Sequence, residues 1–456
     1  METRALLHDV ADRAADWLDA LPDRPVGPAE TPAELQITGT LGDGPLPIDQ
    51  VIAELAREAA PGLTAMNSPR FFGFVIGGAH PAGIAADWLA TAWDQNAGLA
   101  GPTPAVAAFE EVAGRWLADL LRLPATASFA LVTGCQMAHV TALAAARHRV
   151  LADAGHDVER DGVAGAPPIR VLAGEERHVT VDRALRLLGL GTGSVEPVAA
   201  DGRGAMRADA LAEALAAGDG RPTIVIAQAG NVNGGAIDPM QEVCAAARSA
   251  GAWVHVDGAF GLWAAASPRR RHLVRGAELA DSWATDAHKW LNVPYDCGIV
   301  FVRDREAHRA AISVTAAYLV QAAGGPREPM DWTPEFSRRA RGLAVYATLR
   351  ALGRDGVAEL VDRLCACAER FASRLGDAGF EVLEQELNQV LVACGDDEAT
   401  EATLAAVQAD GTSYPSGTAW RGRRCIRISV CNWQTTTDEV DRSIEAMATA
   451  RALGVR

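Results

Sequence analysis

The residue that most suggests chemistry is Lys289, in the stretch TDAHKWLNVPYDCG at residues 285–298. Lysine is among the residues least often buried without a partner, yet Trp290, Leu291 and Val293 favour burial of this stretch. A lysine in a partly desolvated pocket near other cationic groups has a lowered pKa, and its amine can form a Schiff base. A surface lysine on a loop is the alternative, and the apolar neighbours argue against it.

Three further features lie where strands are expected to end. In WVHVDGAFG, Asp257 ends a strand. Its carboxylate either caps a turn or helix, or is held ionised beside a cationic ring nitrogen. His178, in EERHVTVDRALRLLG, is either structural or a flat ring that stacks on a cofactor. In LVTGCQMAHVTAL, a strand is followed by a glycine and a helix, which leaves free backbone N–H groups at Gly134–Gln136. This stretch is either an ordinary βα turn or an anion-binding site at the start of the helix.

Together these features match the needs of one cofactor, pyridoxal 5'-phosphate. Its aldehyde needs an amine, its pyridine nitrogen an acid, its ring a stacking face and its phosphate a helix start. The order along the chain is phosphate turn, stacking ring, acid and amine. Lys289 is therefore interpreted as the covalent anchor of the cofactor.

The elements that must position these residues are strands alternating with helices. From Phe129 onwards, the apolar runs FALVT, IRVLA, TIVIAQ, WVHVD and GIVFV are separated by helical segments. This alternation predicts an α/β fold with a mostly parallel sheet covered on both faces. Ligands bind outside the carboxyl ends of such strands.

Three regions are expected along the chain. Residues 1–66 predict an N-terminal helical segment, 67–343 a large cofactor-binding domain, and 344–456 a small C-terminal α/β domain with shorter strands. Helices are expected at Ala85–Ala97 and Ala105–Leu121, where apolar residues recur three and four positions apart.

The sequence resembles the pyridoxal-phosphate-dependent group II amino acid decarboxylases, which have the aspartate aminotransferase fold (fold type I). The resemblance covers about Met66 to Asp441 and is most specific in HVDGAFG and ADSWATDAHKWLNVPYDCG. PRFFGFVIGG, NVNGGAID, MDWTPEFSRRARGLAVY and LNQVLV also look like the family. It implies the decarboxylation of an L-amino acid to an amine through a Schiff base on Lys289.

The resemblance also implies a role for each matched residue. Lys289, Asp257 and His178 would be catalytic: the amine, the partner of the ring nitrogen and the stacking ring. Ala259 would pack on the other ring face, and Asn231 would lie near the ring. The phosphate would be held by Cys135 and Gln136, helped by Asp286 and His288, and Phe74 would begin the substrate pocket.

Two departures from the family pattern bear on function. The phosphate turn has Cys135 and Gln136 where the family usually has serine or threonine and then glutamate, so backbone N–H groups are expected to matter more. The loop VQAAGGPREPMDW lacks the tyrosine that delivers the proton in many family decarboxylases. Tyr318, at the start of this loop, is the candidate substitute. In relatives, loss of this tyrosine favours an oxygen-dependent route to an aldehyde.

Alternative activities therefore stay open. Decarboxylative oxidation to an aldehyde and transamination are the alternatives on the same fold, and a catalytically idle cofactor-binding protein is a third. Arg427, in CIRISV, lies roughly where aminotransferases of this fold hold a substrate carboxylate, or it is an ordinary strand-edge arginine.

Bulk properties limit the partners. With 456 residues, 49% of them hydrophobic, the chain can bury a large core, and its net charge of −16 disfavours nucleic acid. No segment predicts a membrane span or a signal peptide, no metal site is expected, and eight scattered cysteines fit a reducing cytoplasm. We expect a small amino acid substrate, aromatic or otherwise apolar, and a homodimer with the active site at its interface.

Overall fold

The computed structural model describes residues 2–314 and 327–454. Tyr318 and most of the loop that precedes Met330 lie outside the described residues. None of the described helices is both long enough and apolar enough to cross a membrane.

A seven-stranded sheet forms the centre of the larger part of the protein. Its strands are β2 (Ser128–Val132), β3 (Arg170–Gly174), β4 (Val195–Val198), β5 (Thr223–Gln228), β6 (Trp253–Asp257), β7 (Ser282–Asp286) and β8 (Gly298–Val302), in the spatial order β2-β8-β7-β6-β5-β3-β4. The pairings among β3 to β7 are parallel, and β8 is antiparallel to both its neighbours. The predicted mostly parallel sheet is confirmed.

Side chains of this sheet pack into a core on each face. Phe129 and Leu131 belong to one apolar cluster, and Ala130 and Val132 belong to the other, because successive residues of a strand point to opposite faces. This double burial explains why the strands read as continuous apolar runs rather than alternating ones.

Helices lie along the chain before, between and after these strands. They are α1 (Thr3–Asp19), α2 (Ile48–Ala59), α3 (Pro81–Trp93), α4 (Pro104–Leu120), α5 (Cys135–Asp153), α6 (Val158–Asp161), α7 (Val179–Leu187), α8 (Ala208–Ala216), α9 (Met240–Ser249), α10 (Arg305–Ile312), α11 (Arg341–Asp377), α12 (Asp397–Asp410) and α13 (Thr437–Gly454). The helices expected at Ala85–Ala97 and Ala105–Leu121 correspond to α3 and α4.

A second sheet of five strands packs against α11, α12 and α13. Its strands are β1 (Phe71–Phe72), β9 (Glu381–Glu386), β10 (Gln389–Ala393), β11 (Tyr414–Trp420) and β12 (Arg423–Ser429), in the order β1-β11-β12-β10-β9. Helix α11 is interrupted at Gly353, whose φ of 64° is one that glycine adopts without strain. It contributes Val345 to the core of the large sheet and Phe371 to the core of the small one.

The predicted domain boundaries remain a prediction. The boundary between 343 and 344 falls inside α11, and β1, from the segment assigned to the large domain, pairs with β11 of the C-terminal sheet. The two sheets are therefore joined by shared elements as well as by the chain.

The carboxyl ends of β5, β6 and β7 bring polar residues together. Gln228 is the register partner of Asp257, and Asp257 is the partner of Ala284, two residues before Asp286. Gln228, Asp257 and Asp286 each end a buried strand. The sheet thus aligns three polar side chains at one edge, where α/β proteins bind ligands.

Candidate active site

A cavity of about 250 Å³ opens at this edge of the large sheet. Its wall contains eight of the nine residues predicted to bind the cofactor: Cys135, Gln136, His178, Asp257, Ala259, Asp286, His288 and Lys289. A larger surface cleft of about 670 Å³ lies elsewhere, between Asp119 and Arg275, and contains none of them. The smaller cavity is therefore the candidate active site.

Lys289 is held in this cavity by Asp286. The lysine Nζ lies 3.1 Å from Asp286 Oδ2, and the lysine side chain is 19% exposed. Burial by itself lowers the pKa of Lys289, but Asp286, Cys135 and Asp257 together outweigh burial, so the pKa lies above the ordinary lysine value. The sequence-based expectation of a lowered pKa was wrong, because the nearest charged partner is acidic rather than cationic.

Asp257 lies buried at the end of β6. Its Oδ1 accepts a hydrogen bond from the N–H of Ala259 at 3.2 Å and lies 3.6 Å from His139 Nε2. Burial by itself raises the pKa of Asp257, but His139, His178 and Lys289 together outweigh burial and hold the pKa below its usual range. An ionised carboxylate thus faces the cavity.

His178 caps the start of α7 and presents one ring nitrogen to the cavity. Its Nδ1 accepts a hydrogen bond from the N–H of Thr180 at 3.3 Å and lies 2.7 Å from the hydroxyl of the same residue. Burial lowers the pKa of His178, so the ring is neutral at neutral pH. With Nδ1 accepting, the proton lies on Nε2, and the ring offers a donor to the site.

The turn before α5 is tightly packed. The N–H of Cys135 donates to Asp286 Oδ1 at 2.7 Å, and a Cβ on Gly298 would lie 2.3 Å from the carbonyl carbon of Gly134. The Gln136 Nε2 donates to the Thr180 carbonyl, while its Oε1 is buried and has no hydrogen-bond partner within the described ranges. A buried acceptor in the wall indicates that the cavity takes a polar group.

His288 lies in the cavity wall with Lys289, and Tyr295, which is 56% exposed, packs against His288. The N–H of Cys297 donates to His288 Nδ1 at 3.1 Å, and the Tyr295 ring lies against the His288 ring, tilted by 30°, with centroids 4.4 Å apart. Burial raises the pKa of Tyr295 to about 12, and the charge of Lys289 opposes that rise. Tyr295 is thus a tyrosine within electrostatic reach of Lys289, and it was not among the predicted site residues.

Two predicted residues do not line the cavity. Asn231 is buried, where its Nδ2 donates to the Glu176 carbonyl and its Oδ1 accepts from the N–H of Asn233. It shapes the loop that follows β5. Phe74 is 56% exposed, and its N–H donates to the Ser416 hydroxyl.

Other wall residues were missed by sequence reasoning. The cavity is also lined by Gln228, Thr180 and Val232. His139, outside the lining residues, lies 3.6 Å from Asp257. Gln228 carried the same signal as Asp257, a polar residue that ends an apolar strand. His139 lies in an alanine-rich helix, and its sequence gives no sign of the contact.

Arg427 lies close to the cavity. Its Nη1 donates to the carbonyl of Val232 at 3.3 Å, and its buried Nε has no hydrogen-bond partner among the described residues. Burial lowers the pKa of Arg427 to about 10. Arg427 as a whole residue is only 8% exposed, so it is not an ordinary strand-edge arginine at the surface.

The residues of the cavity fit pyridoxal phosphate. An amine on Lys289, an ionised carboxylate on Asp257 and a neutral ring on His178 lie in one wall. Those are the groups that the aldehyde, the ring nitrogen and the ring face of this cofactor require. Asp286, however, already accepts from Cys135 and pairs with Lys289, so its oxygens serve protein donors.

Residues 32–394 match the family model described as the pyridoxal-dependent decarboxylase conserved domain. The chain belongs to this family. The predicted family, the fold type, the cofactor and the assignment as a pyridoxal-phosphate-dependent amino acid decarboxylase are all confirmed by the match together with the relatives below.

Relatives and solved structures agree with the family. Tryptophan decarboxylase 1 of Oryza sativa subsp. japonica is 29% identical over 94% of this chain and 90% of its own length. L-2,4-diaminobutyrate decarboxylase of Rhizobium meliloti (strain 1021) is 32% identical over 89% of this chain and 83% of its own. The crystal structure of Oryza sativa TDC with PLP and tryptamine superposes with a TM-score of 0.92 at 26% identity, over 99% of this chain and 97% of that one.

A relative with a different product is also similar. Phenylacetaldehyde synthase of Arabidopsis thaliana is 26% identical over 93% of this chain and 90% of its own length. The fold and family are thus compatible with release of an aldehyde as well as an amine.

Proposed function

We propose that this decarboxylase converts an aromatic L-amino acid to the corresponding amine at the Lys289 cavity. The observation that carries the proposal is the convergence of Lys289, Asp257 and His178 on one buried cavity at the ends of the central strands. The names of the tryptophan and tyrosine decarboxylases among the relatives support an aromatic side chain.

The cofactor, when bound, supplies a conjugated ring that takes up the electron pair left by CO2. Lys289 would anchor it through its amine. Asp257 would provide a negative charge for the ring nitrogen, and His178 would provide a flat ring to stack on it. Asp286 holds the Lys289 amine in place, while the start of α5 and His288 would bind the phosphate.

His178 has a second task in this scheme. Its Nε2–H is directed by the Nδ1 contacts to Thr180, so a neutral donor is available beside the substrate without any change in charge.

The substrate side chain is proposed to lie among the apolar residues of the wall. Val232, Ala259 and Phe260 line the cavity and have no charge to pair with an acidic or basic substrate. The diaminobutyrate decarboxylase relative offers the competing class, a substrate with a second amine. Asn231 and Phe74 are proposed to act at the edge of the site.

The aldehyde product is the second candidate. The similarity to phenylacetaldehyde synthase favours it, as does the absence of a tyrosine from VQAAGGPREPMDW. We favour the amine because Tyr295 packs on His288, a residue of the cavity wall, and lies within electrostatic reach of Lys289. Tyr318 is the other candidate donor.

We also propose a homodimer located in the cytoplasm. Support for the dimer comes from α2 and α3, which expose Ile48, Val51, Trp88, Leu89 and Trp93 to solvent. Exposed apolar side chains on the surface of helices are typical of an interface. Light scattering on the purified protein should give twice the mass of one chain. Eight free, buried cysteines fit a reducing compartment.

The function is tested by incubating the purified holoenzyme with single L-amino acids and identifying the organic product. Tryptophan, tyrosine and phenylalanine should release CO2 with one amine per CO2. Release of aldehyde and peroxide would favour the second candidate, and turnover of diaminobutyrate alone would replace the aromatic class.

A further inference from the structure

A row of buried polar side chains leads through the large sheet to Asp257. Trp253 Nε1 donates to Ser282 Oγ at 2.9 Å, and Ser282 Oγ lies 2.9 Å from His255 Nδ1. His255 Nε2 lies 2.9 Å from His139 Nδ1, and His139 Nε2 lies 3.6 Å from Asp257 Oδ1. All five side chains are buried, so bulk water does not compete for these contacts.

Both histidines are neutral. Burial lowers the pKa of His255 to about 3 and also lowers the pKa of His139. Each neutral imidazole has one N–H and one lone pair. Across the 2.9 Å contact between the two rings, one nitrogen must donate and the other must accept.

The carboxylate decides the direction of donation. A lone pair on His139 Nε2 would face the charge of Asp257 at 3.6 Å, whereas an N–H there places its positive end toward the carboxylate. With that proton on Nε2, His139 Nδ1 accepts from His255, and His255 Nδ1 accepts from the Ser282 hydroxyl. The indole N–H of Trp253 can only donate, and it donates to the Ser282 oxygen. Each N–H or O–H of the series therefore has an acceptor.

One neighbour offers the opposite direction. Cys135 Sγ lies 3.4 Å from the same His139 Nε2 and, as a thiol, could donate to it. Burial raises the pKa of the Cys135 thiol well above its usual value, so the sulfur stays protonated. A thiol is a weak donor, and the charged carboxylate is the stronger partner for the nitrogen.

We propose that His139 is a positioning residue that directs its Nε2–H at Asp257, with its tautomer fixed by His255, Ser282 and Trp253. At 3.6 Å the contact is longer than an ordinary hydrogen bond, so it acts as an oriented dipole that stabilises the carboxylate charge. The inference deepens the proposed function and depends on Asp257 being the partner of the cofactor ring nitrogen.

Three variants test the positioning role through cofactor affinity. His139→Leu removes the donor and should raise the dissociation constant of pyridoxal phosphate by roughly tenfold, the effect of losing one interaction with a charged group. His139→Gln keeps an N–H at similar reach and should stay within about threefold. His308→Leu is the matched control: His308 is buried and bonded through both nitrogens to Ser128 and Trp332, but lies outside the cavity wall.

The comparison separates positioning from packing. His308→Leu should lower the melting temperature and leave the dissociation constant unchanged. Equal losses of affinity in His139→Leu and His139→Gln, or no loss in either, would overturn the positioning role.

The tautomer itself is measured by solid-state 15N NMR on the holoenzyme labelled at histidine. The signals of His139, assigned by their disappearance in His139→Gln, should show a protonated Nε2 and a pyridine-like Nδ1. A protonated Nδ1 would overturn the inference. Asp257→Asn separates the two proposals: unchanged cofactor affinity in that variant would refute the proposed role of Asp257 while leaving the tautomer result intact.

Discussion

Replacing Asp286 by asparagine tests how the protein controls the Lys289 amine. In the structure Asp286 raises the pKa of Lys289 against the opposing effect of burial. Asparagine keeps an oxygen that can accept from the N–H of Cys135 but removes the charge 3.1 Å from Nζ. The pKa of Lys289 should therefore fall in Asp286→Asn, because burial is then less strongly opposed.

The size of the fall follows from the contact. Two unit charges 3.1 Å apart attract by about 5 kcal/mol at an effective dielectric constant of roughly 20, before the lost solvation of both groups is subtracted. A hydrogen bond to a charged group contributes about 1.5–3 kcal/mol net. Because one pKa unit corresponds to about 1.4 kcal/mol, we expect a fall of about one to two units.

Cofactor uptake by the apoenzyme is the assay, because only the neutral amine reacts with an aldehyde. The rate of uptake of pyridoxal phosphate is recorded against pH, and the midpoint for Asp286→Asn should lie about one to two pH units below that of the wild type. Asp281→Asn is the control, since Asp281 also accepts a backbone N–H, from Val254, but lies outside the cavity wall. An unchanged or higher midpoint in Asp286→Asn would refute the reasoning.

Three other outcomes are expected. Borohydride reduction should fix the cofactor to the peptide containing Lys289 in the wild type, and Lys289→Ala should retain no covalent cofactor and no CO2 release; a labelled peptide elsewhere would contradict the assignment. If Tyr295 delivers the proton, Tyr295→Phe should shift the product from amine toward aldehyde, and Tyr318→Phe should not. The reverse pattern would assign proton delivery to Tyr318. Gly77→Ala should lower the free energy of unfolding by about 1–3 kcal/mol in chemical denaturation, because the added Cβ would lie 2.1 Å from the Lys289 carbonyl oxygen. Gly101→Ala is the control, since a Cβ there meets nothing within 4 Å. Equal effects of the two substitutions would contradict the packing argument.

The residues at the strand ends could be predicted because their sequence signal is local. Asp257 ends an apolar run of β-branched residues, and Lys289 follows within a strongly apolar segment, so type and position agree. The strand β7 was missed because SWATD has serine, threonine and aspartate in place of a continuous apolar run. Strand β11, which contains Pro415 and Gly417, was missed for a similar reason.

Contacts between distant segments could not be read from the sequence. The pKa direction of Lys289 depends on how the turn after β7 folds Asp286 back onto the amine, and the resemblance assigned Asp286 to the phosphate instead. His139 and His255 are 116 positions apart and meet only once α5 packs across the sheet. The pairing of β1 with β11 likewise joins residues more than 340 positions apart.

The proposed function is tested most directly by CO2 release from the aromatic L-amino acids by wild-type holoenzyme and Lys289→Ala, with the organic product identified in the same samples. We expect CO2 and an equal amount of the matching amine from the wild type, and neither from the variant. Wild-type holoenzyme that releases no CO2 from any amino acid, or a Lys289→Ala variant that releases it at the wild-type rate, would contradict the proposed function.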